Sequence, residues 1–136
     1  MPDYNAKISG FAVGDDLLVR RTINRTLSKL PNGVVIATAW MTVKENLSDA
    51  DVDAIVTKEI TTVEDAGNNG HIEEDGSSQA GAADPILRFD LQTTDTRSIG
   101  ANHRYYDIQV KTDTGAVYTG EKGVIYGESD VTISTN

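Results

Sequence analysis

The stretch YYDIQV, residues 105–110, places Tyr106, Ile108 and Val110 on one face of an extended chain. The polar residues between them fall on the opposite face, and this period-2 alternation is typical of a half-buried antiparallel strand. An Asp-Thr-Gly turn at residues 113–115 follows, and short alternating runs broken by glycine continue toward the C-terminus. The C-terminal third of the chain therefore predicts consecutive antiparallel strands.

Similar alternation appears upstream, and it predicts an antiparallel β-sandwich of about seven to eight strands. The predicted strands are Asp16–Asn24, Val34–Lys44, Ile55–Val63, Ile86–Leu91, a strand starting near Tyr106, Ala116–Tyr118, Val124–Tyr126 and Val131–Ser134. The side chains predicted to face inward on the upstream strands are Leu17, Val19, Ile23, Val35, Ala37, Ala39, Met41, Val43, Leu87, Phe89 and Leu91.

Two segments depart from this pattern. Ser48–Ala54 begins like a helix, because Ser48 is a favourable cap and acidic residues follow it, so one short helical turn is predicted there. Glu64–Pro85 is rich in glycine and polar residues and has few apolar ones. We expect it to form one long mobile loop outside the core.

Composition limits the classes of protein to consider. A chain of 136 residues predicts one domain, residues 1–136, and the lack of cysteine excludes disulfides and thiolate metal sites. A formal net charge of −9 opposes binding to nucleic acid or to anionic membranes. No apolar run is long enough for a membrane span, and the N-terminus lacks a signal-peptide pattern, so we expect a soluble protein made in the cytoplasm.

The sequence offers little support for catalysis or for a metal or cofactor. His71 and His103 have no second ligand at metal-binding spacing, and both are expected to be solvated polar residues. The alternation of Asp49, Asp51 and Asp53 lacks the glycine and the glutamate of a calcium loop, so helix-start charge is the preferred interpretation. The acidic triplet at residues 73–75 is expected to be solvated. No nucleophile elbow, P-loop or dinucleotide motif occurs, and the prediction is a protein that is not an enzyme and has no cofactor.

Tyr106 and Asp95 are candidate structural residues at a corner between strands. The order of Asp95, Gly100 and Tyr106 ahead of an alternating strand resembles the tyrosine corner of Greek-key sandwiches. In that arrangement a buried tyrosine hydroxyl bonds back to the backbone just upstream.

Trp40, Tyr105 and Tyr118 are the candidate interface residues, because most of the other aromatic residues fall at plausible core positions. Trp40 shares a face with Thr38 and Thr42 on the predicted strand, away from the inward residues. It is either an interface anchor or, if the strand is in the opposite phase or contains a bulge, a central core residue. The sequence leaves both interpretations open.

The order of features along the chain resembles the immunoglobulin-like N-terminal domain of phage baseplate upper proteins and of related small phage virion proteins. The resemblance covers roughly residues 12–132. The matching features are Gly14-Asp15; Trp40–Lys44; Asp51, Ala54-Ile55 and Lys58; Leu91, Asp95 and Thr96; Tyr106–Gln109; Gly123; and Asp130–Thr132. Members of the family often continue into further receptor-binding or assembly domains, and Glu64–Pro85 is longer than the pattern requires.

The resemblance implies an immunoglobulin-like fold and a non-enzymatic structural role in a virion, in the tail or baseplate or on the capsid surface. The expected partners are other phage virion proteins and further copies of the chain in a homo-oligomer. The alternative is a carbohydrate-binding module that holds a host-surface glycan by aromatic stacking. Trp40, Tyr105 and Tyr118 on one open face would favour the glycan, whereas scattered or covered aromatics would favour assembly.

Overall fold

The computed structural model describes residues 6–46, 54–65 and 68–128. Within these ranges the chain forms eight strands in two sheets and little helix, which confirms the predicted all-β sandwich. The strands are β1 (Ala6–Ile8), β2 (Leu17–Thr22), β3 (Ile36–Lys44), β4 (Val56–Thr61), β5 (Gly70–Glu74), β6 (Ile86–Leu91), β7 (Arg104–Thr112) and β8 (Val117–Ile125).

The larger sheet has five strands in the order β1-β8-β7-β3-β4. All its neighbours are antiparallel except β1, which pairs in parallel with β8. Gly123 permits this pairing, because a Cβ at that position would lie 2.3 Å from the carbonyl oxygen of Ala6. The predicted strands Ala116–Tyr118 and Val124–Tyr126 form one continuous strand, and the glycines between them are sites of close approach rather than turns.

The smaller sheet has three antiparallel strands in the order β2-β6-β5. Its inner face packs against the larger sheet, and the two inner faces form one hydrophobic core. The predicted inward residues of β6 and β7 are confirmed as buried: Leu87, Phe89, Leu91, Tyr106, Ile108 and Val110. These segments were predicted well because a strand that buries one face and exposes the other alternates strictly between apolar and polar residues.

A bulge changes the phase of β3 near its start. The pairing of β3 with β7 shifts between Ile36 and Thr38, so both Ile36 and Ala39 point into the core. The prediction that Ala37 faces inward is therefore wrong, and Ala37 is exposed. From Ala39 onward the predicted phase is confirmed, with Met41 and Val43 fully buried.

The segment Glu64–Pro85 is not one continuous loop, and that prediction is wrong for its centre. Residues 70–74 form the edge strand β5, and Ile72 is only 2% exposed in the core. Gly70 allows β5 to approach β6, because a Cβ there would lie 1.9 Å from the carbonyl oxygen of Arg88. A tight turn at Ser78–Gly81 follows, in which Gln79 and Ala80 have positive φ angles.

Two helical pieces accompany the sheets, Arg25–Ser28 and Thr93–Ile99. None of the helices in the described ranges is long and apolar enough to cross a membrane. Ser48–Asp53 and the predicted strand Val131–Ser134 lie outside the described residues, and Ala54 belongs to no regular element.

Arg25 forms hydrogen bonds to the backbone of two segments beside the small sheet. Its side chain is buried and donates to four backbone carbonyls, those of Ala83 (2.8 Å), Pro31 (2.7 Å), Val34 (3.0 Å) and Gly76 (3.0 Å). A buried guanidinium needs many acceptors to offset its lost hydration, and here backbone oxygens supply them. Arg25 thus joins the segment after β5 to the segment before β3.

Candidate functional site

The outer face of the five-stranded sheet is broader than that of the three-stranded sheet, and we call it the Trp40 face. Because directly paired residues on neighbouring strands project to the same side, the register defines its members. They are Lys7, Thr38, Trp40, Thr42, Lys44, Thr57, Glu59, Thr61, Tyr105, Asp107, Gln109, Lys111, Val117, Thr119, Lys122 and Val124.

Trp40 lies midway along β3, one strand from the edge strand β4, and is partly exposed. Its indole Nε1 donates to Glu59 Oε1 across the strand pair at 2.7 Å. It lines a shallow groove of about 370 Å³ with Thr42, Thr57, Gln109 and Val117. The interpretation of Trp40 as a core residue is therefore wrong, because its strand turns Ala39 and Met41 inward instead.

The other two candidate aromatics do not join Trp40 in one platform. Tyr105 lies on the same face, but it pairs with Lys44, four residues along β3 from Trp40, which is about 13 Å. Tyr118 pairs with the inward residue Val110, so it lies on the inner face of the large sheet and packs against the core. The three residues predicted together are thus divided between the two sides of the sheet.

The outer face of the small sheet carries a network of ion pairs. Arg20, Arg88 and His71 stand in one row across its three strands. Arg20 contacts Glu73 at 2.5 Å, and Arg88 contacts Asp90 at 3.0 Å and also Glu64. The hydrogen bond from Arg88 lowers the pKa of the Glu64 carboxyl, and the same bond raises the pKa of Arg88. The arginines of this face are therefore paired within the chain.

A groove of about 410 Å³ lies beside this network at one end of β2 and β6. It is lined by Asp16, Leu17, Leu18, Arg88, Asp90, Leu91 and Gln92. Leu18 projects outward and is 59% exposed, one of three large hydrophobic side chains in the described ranges that are more than half exposed. Sequence reasoning did not single out Leu18, although Leu17, Leu18 and Val19 cannot all face inward on one strand.

Tyr106 is buried, but the hydrogen-bond partner of its hydroxyl is not the one predicted. It is 1% exposed, and its hydroxyl donates to Glu121 on the neighbouring strand β8, not to the backbone just upstream. Burial, and then this hydrogen bond, raise the pKa of Tyr106. Arg21 Nε also donates to Glu121 at 3.0 Å, so the cluster links the edge of the small sheet to the large sheet.

Asp95 belongs to a different corner from Tyr106. Its carboxylate accepts the backbone N–H of Gln92 at 2.8 Å at the start of the helix Thr93–Ile99. It also contacts Lys58 Nζ at 2.7 Å. Asp95 is therefore a capping and ion-pair residue, and the predicted tyrosine corner between Asp95 and Tyr106 is not formed.

The histidines and acidic residues have partners within the protein. His71 contacts the carbonyl oxygen of Thr62 at 3.1 Å and Glu64 at 3.4 Å, whereas His103 packs edge-on against Tyr126. Glu74 accepts the backbone N–H of Gly76, and this hydrogen bond lies in the turn after β5. No group of three or more metal-ligating side chains occurs in the part of the chain that the structure describes.

Comparison with known proteins gives no match: no protein-family model, no curated protein and no solved structure is detectably similar to this chain. The class of protein that the structure defines is therefore an all-β sandwich of two sheets, and its function has to be inferred from its surfaces.

Proposed function

We propose that this chain is a non-enzymatic structural protein of a bacteriophage virion. It assembles through protein–protein contacts in the tail or baseplate or on the capsid surface, with other virion proteins and with further copies of itself. It is made in the host cytoplasm and then enters the particle. The series of sequence features that resembles phage virion domains supports the virion assignment, and the sandwich agrees with the fold that the resemblance implies.

Trp40 is the observation that carries the proposal. Tryptophan is a large apolar residue that is enriched at the energetic centres of protein interfaces. Here the only tryptophan of the chain projects away from the core on β3, beside the edge strand β4 of the five-stranded sheet, and its polar atom is satisfied by Glu59. Because the indole N–H already has a partner, covering the apolar ring with another protein is favourable.

The edges of the large sheet are less suited to assembly than its face. The edge strand β4 turns Lys58 inward, where it pairs with Asp95 and donates to the carbonyl oxygen of Asn68 at 2.9 Å. Inward-pointing charges on edge strands hinder the addition of a further strand. The opposite edge strand, β1, has only three residues. Contact through the Trp40 face is therefore favoured over strand pairing.

The virion assignment is tested on gradient-purified particles of the phage that encodes the chain. We expect mass spectrometry to find the chain in the particle at a fixed copy number. A particle carrying Trp40→Ala should contain much less of it, while the control Val63→Ala, at an exposed site outside the two sheets, should not. A chain that remains entirely in the soluble lysate while particles form normally would contradict the assignment.

Carbohydrate binding is the second candidate function, and the groove beside Trp40 favours it. Hydroxyl and amide side chains next to an indole are the groups that bind sugars by hydrogen bonding and stacking. The separation of Tyr105 and Tyr118 from Trp40 counts against a large aromatic platform. Saturable binding of a host-surface polysaccharide, lost in Trp40→Ala and kept in Tyr105→Ala, would support this candidate over assembly.

A further inference from the structure

Positive charge is concentrated on the Trp40 face. The chain has six lysines, and four of them belong to this face: Lys7, Lys44, Lys111 and Lys122. The carboxylates of the face are Glu59 and Asp107, so lysines exceed carboxylates by two. The whole chain, in contrast, carries a net charge of −9. A face of opposite sign on an acidic protein attracts another acidic surface.

The opposite side of the sandwich has such a surface, which we call the Leu18 face. It comprises the outward residues of the small sheet and the groove at its end. Its carboxylates are Asp16, Glu73, Glu74 and Asp90, together with Glu64, which contacts Arg88, and its arginines are Arg20 and Arg88. Carboxylates therefore exceed arginines by three, whereas on the Trp40 face lysines exceed carboxylates. The exposed Leu18, at one end of the edge strand β2, gives this face an apolar site.

We propose that the Trp40 face of one copy docks onto the Leu18 face of a second copy. This inference rests on the proposed assembly function and names the partner of the same surface. The excess lysines of one face meet the excess carboxylates of the other, and the apolar groups Trp40 and Val117, the latter 53% exposed, meet Leu18. Two identical Trp40 faces would instead oppose lysine to lysine, so charge disfavours a symmetric dimer through that face.

The geometry makes the contact a repeating one. Because the two faces lie on opposite sides of one sandwich, a row of docked copies has a free Trp40 face at one end and a free Leu18 face at the other. Such head-to-tail contacts generate open rows or closed rings rather than dimers. The Trp40 face measures about 20 Å by 20 Å from strand spacing and rise, which is small for a permanent interface. We therefore expect a weak, salt-sensitive contact that becomes stable only when many copies assemble.

Two variants, each with one face blocked, test the proposal. Lys7→Glu/Lys111→Glu reverses two exposed charges on the Trp40 face, and Leu18→Lys places a positive charge in the apolar part of the Leu18 face. Val63→Lys is the matched control, because Val63 is 72% exposed and belongs to neither face. Circular dichroism melting of each variant checks that the fold is retained before association is measured.

Sedimentation velocity at low salt over a range of concentrations gives the readout. We expect the wild type and Val63→Lys to form a concentration-dependent series of oligomers, and each blocked variant to associate at least about tenfold more weakly. An equimolar mixture of the two blocked variants should form a heterodimer and nothing larger, because only one productive contact remains. This outcome is specific to a head-to-tail interface.

Three results would overturn the proposal. A wild-type protein that stays monomeric at all concentrations would show that the partner is not a second copy. Loss of association in only one of the two blocked variants would indicate a symmetric interface. Blocked variants that associate as the wild type does would place the contact elsewhere. In each case the detection of the chain in purified particles remains a separate result, so failure of this inference is distinguishable from failure of the virion assignment.

Discussion

The two outer faces of the sandwich arrange their charges differently. On the small sheet, both arginines contact carboxylates of the same face, and Arg88 alone contacts Glu64, Asp90 and, at 3.5 Å, Glu73. On the large sheet, four lysines share a face with only two carboxylates and with a partly exposed tryptophan. The first arrangement stabilises the fold it belongs to, whereas the second leaves an excess of charge and apolar surface that a partner can neutralise and cover.

The largest expected effect comes from removing one strand of the small sheet. Replacement of residues 70–83 by a short Gly-Ser linker should prevent folding, because it deletes β5 and the buried side chain of Ile72. It also removes the carbonyls of Gly76 and Ala83 that Arg25 contacts. Far-ultraviolet circular dichroism should show loss of the β signal. A cooperatively folded deletion variant would mean that the large sheet does not need the three-stranded sheet intact.

Arg25→Met should have the next largest effect. The methionine fills part of the space, but four carbonyl oxygens lose their donor, and unsatisfied buried groups cost about 1–3 kcal/mol each when water cannot reach them. We expect the free energy of unfolding to fall by about 3 kcal/mol or more in a urea titration. Arg25→Lys keeps the charge but has fewer donors, so its free energy of unfolding should lie between those of Arg25→Met and the wild type. Equal stability of Arg25→Met and the wild type would show that the carbonyls are hydrated.

Arg88→Met tests the ion-pair network of the small-sheet face directly. The arginine side chain is 14% exposed and contacts three carboxylates, which repel one another once it is removed. We expect a loss of about 1–2 kcal/mol, part of which disappears in 1 M salt. The control Arg20→Met has one partner and a side chain that is 58% exposed, so it should change stability by less than about 0.5 kcal/mol. Equal effects of the two substitutions would contradict a network centred on Arg88.

Tyr106→Phe should have the smallest effect of the series. The ring remains in the core and only the hydroxyl bond to Glu121 is lost, while Arg21 continues to donate to that carboxylate. We expect a loss of about 1 kcal/mol in the free energy of unfolding. Tyr105→Phe, on the partly exposed outer face, is the control and should change stability less. A melting temperature that is the same for Tyr106→Phe and the wild type would mean that the buried hydroxyl bond adds nothing.

The strands that alternate strictly could be predicted from the sequence, and the long-range features could not. β6 and β7 each bury one face, so Leu87 and Ile108 were assigned correctly from local polarity. β5 has a single core residue, Ile72, among glycine, histidine and glutamates, and its strand conformation depends on pairing with β6. The burial of Arg25 could not be predicted from the local sequence, because the carbonyl oxygens that its side chain contacts come from segments up to 58 residues away.

The candidate site was predicted only in part, for the same reason. The alternation of β3 separates Trp40 from the inward residues, and this local pattern was correct from Ala39 onward. The separation of Tyr118 from Trp40 depends on the register of β8 against β7, which shifts between Ile108 and Gln109. A bulge reverses the face of every residue beyond it, and the sequence of β8 does not show where its bulge lies.

The fluorescence of Trp40 offers the most direct test of the central claim, that the Trp40 face is an assembly surface. Trp40 is the only tryptophan in the chain, so its emission reports the environment of this face alone. As the concentration rises and light scattering detects association, we expect the emission to shift to shorter wavelength and acrylamide quenching to weaken, because a partner excludes water from the indole. Association with unchanged emission and unchanged quenching would contradict the account, since the protein would then assemble through another surface.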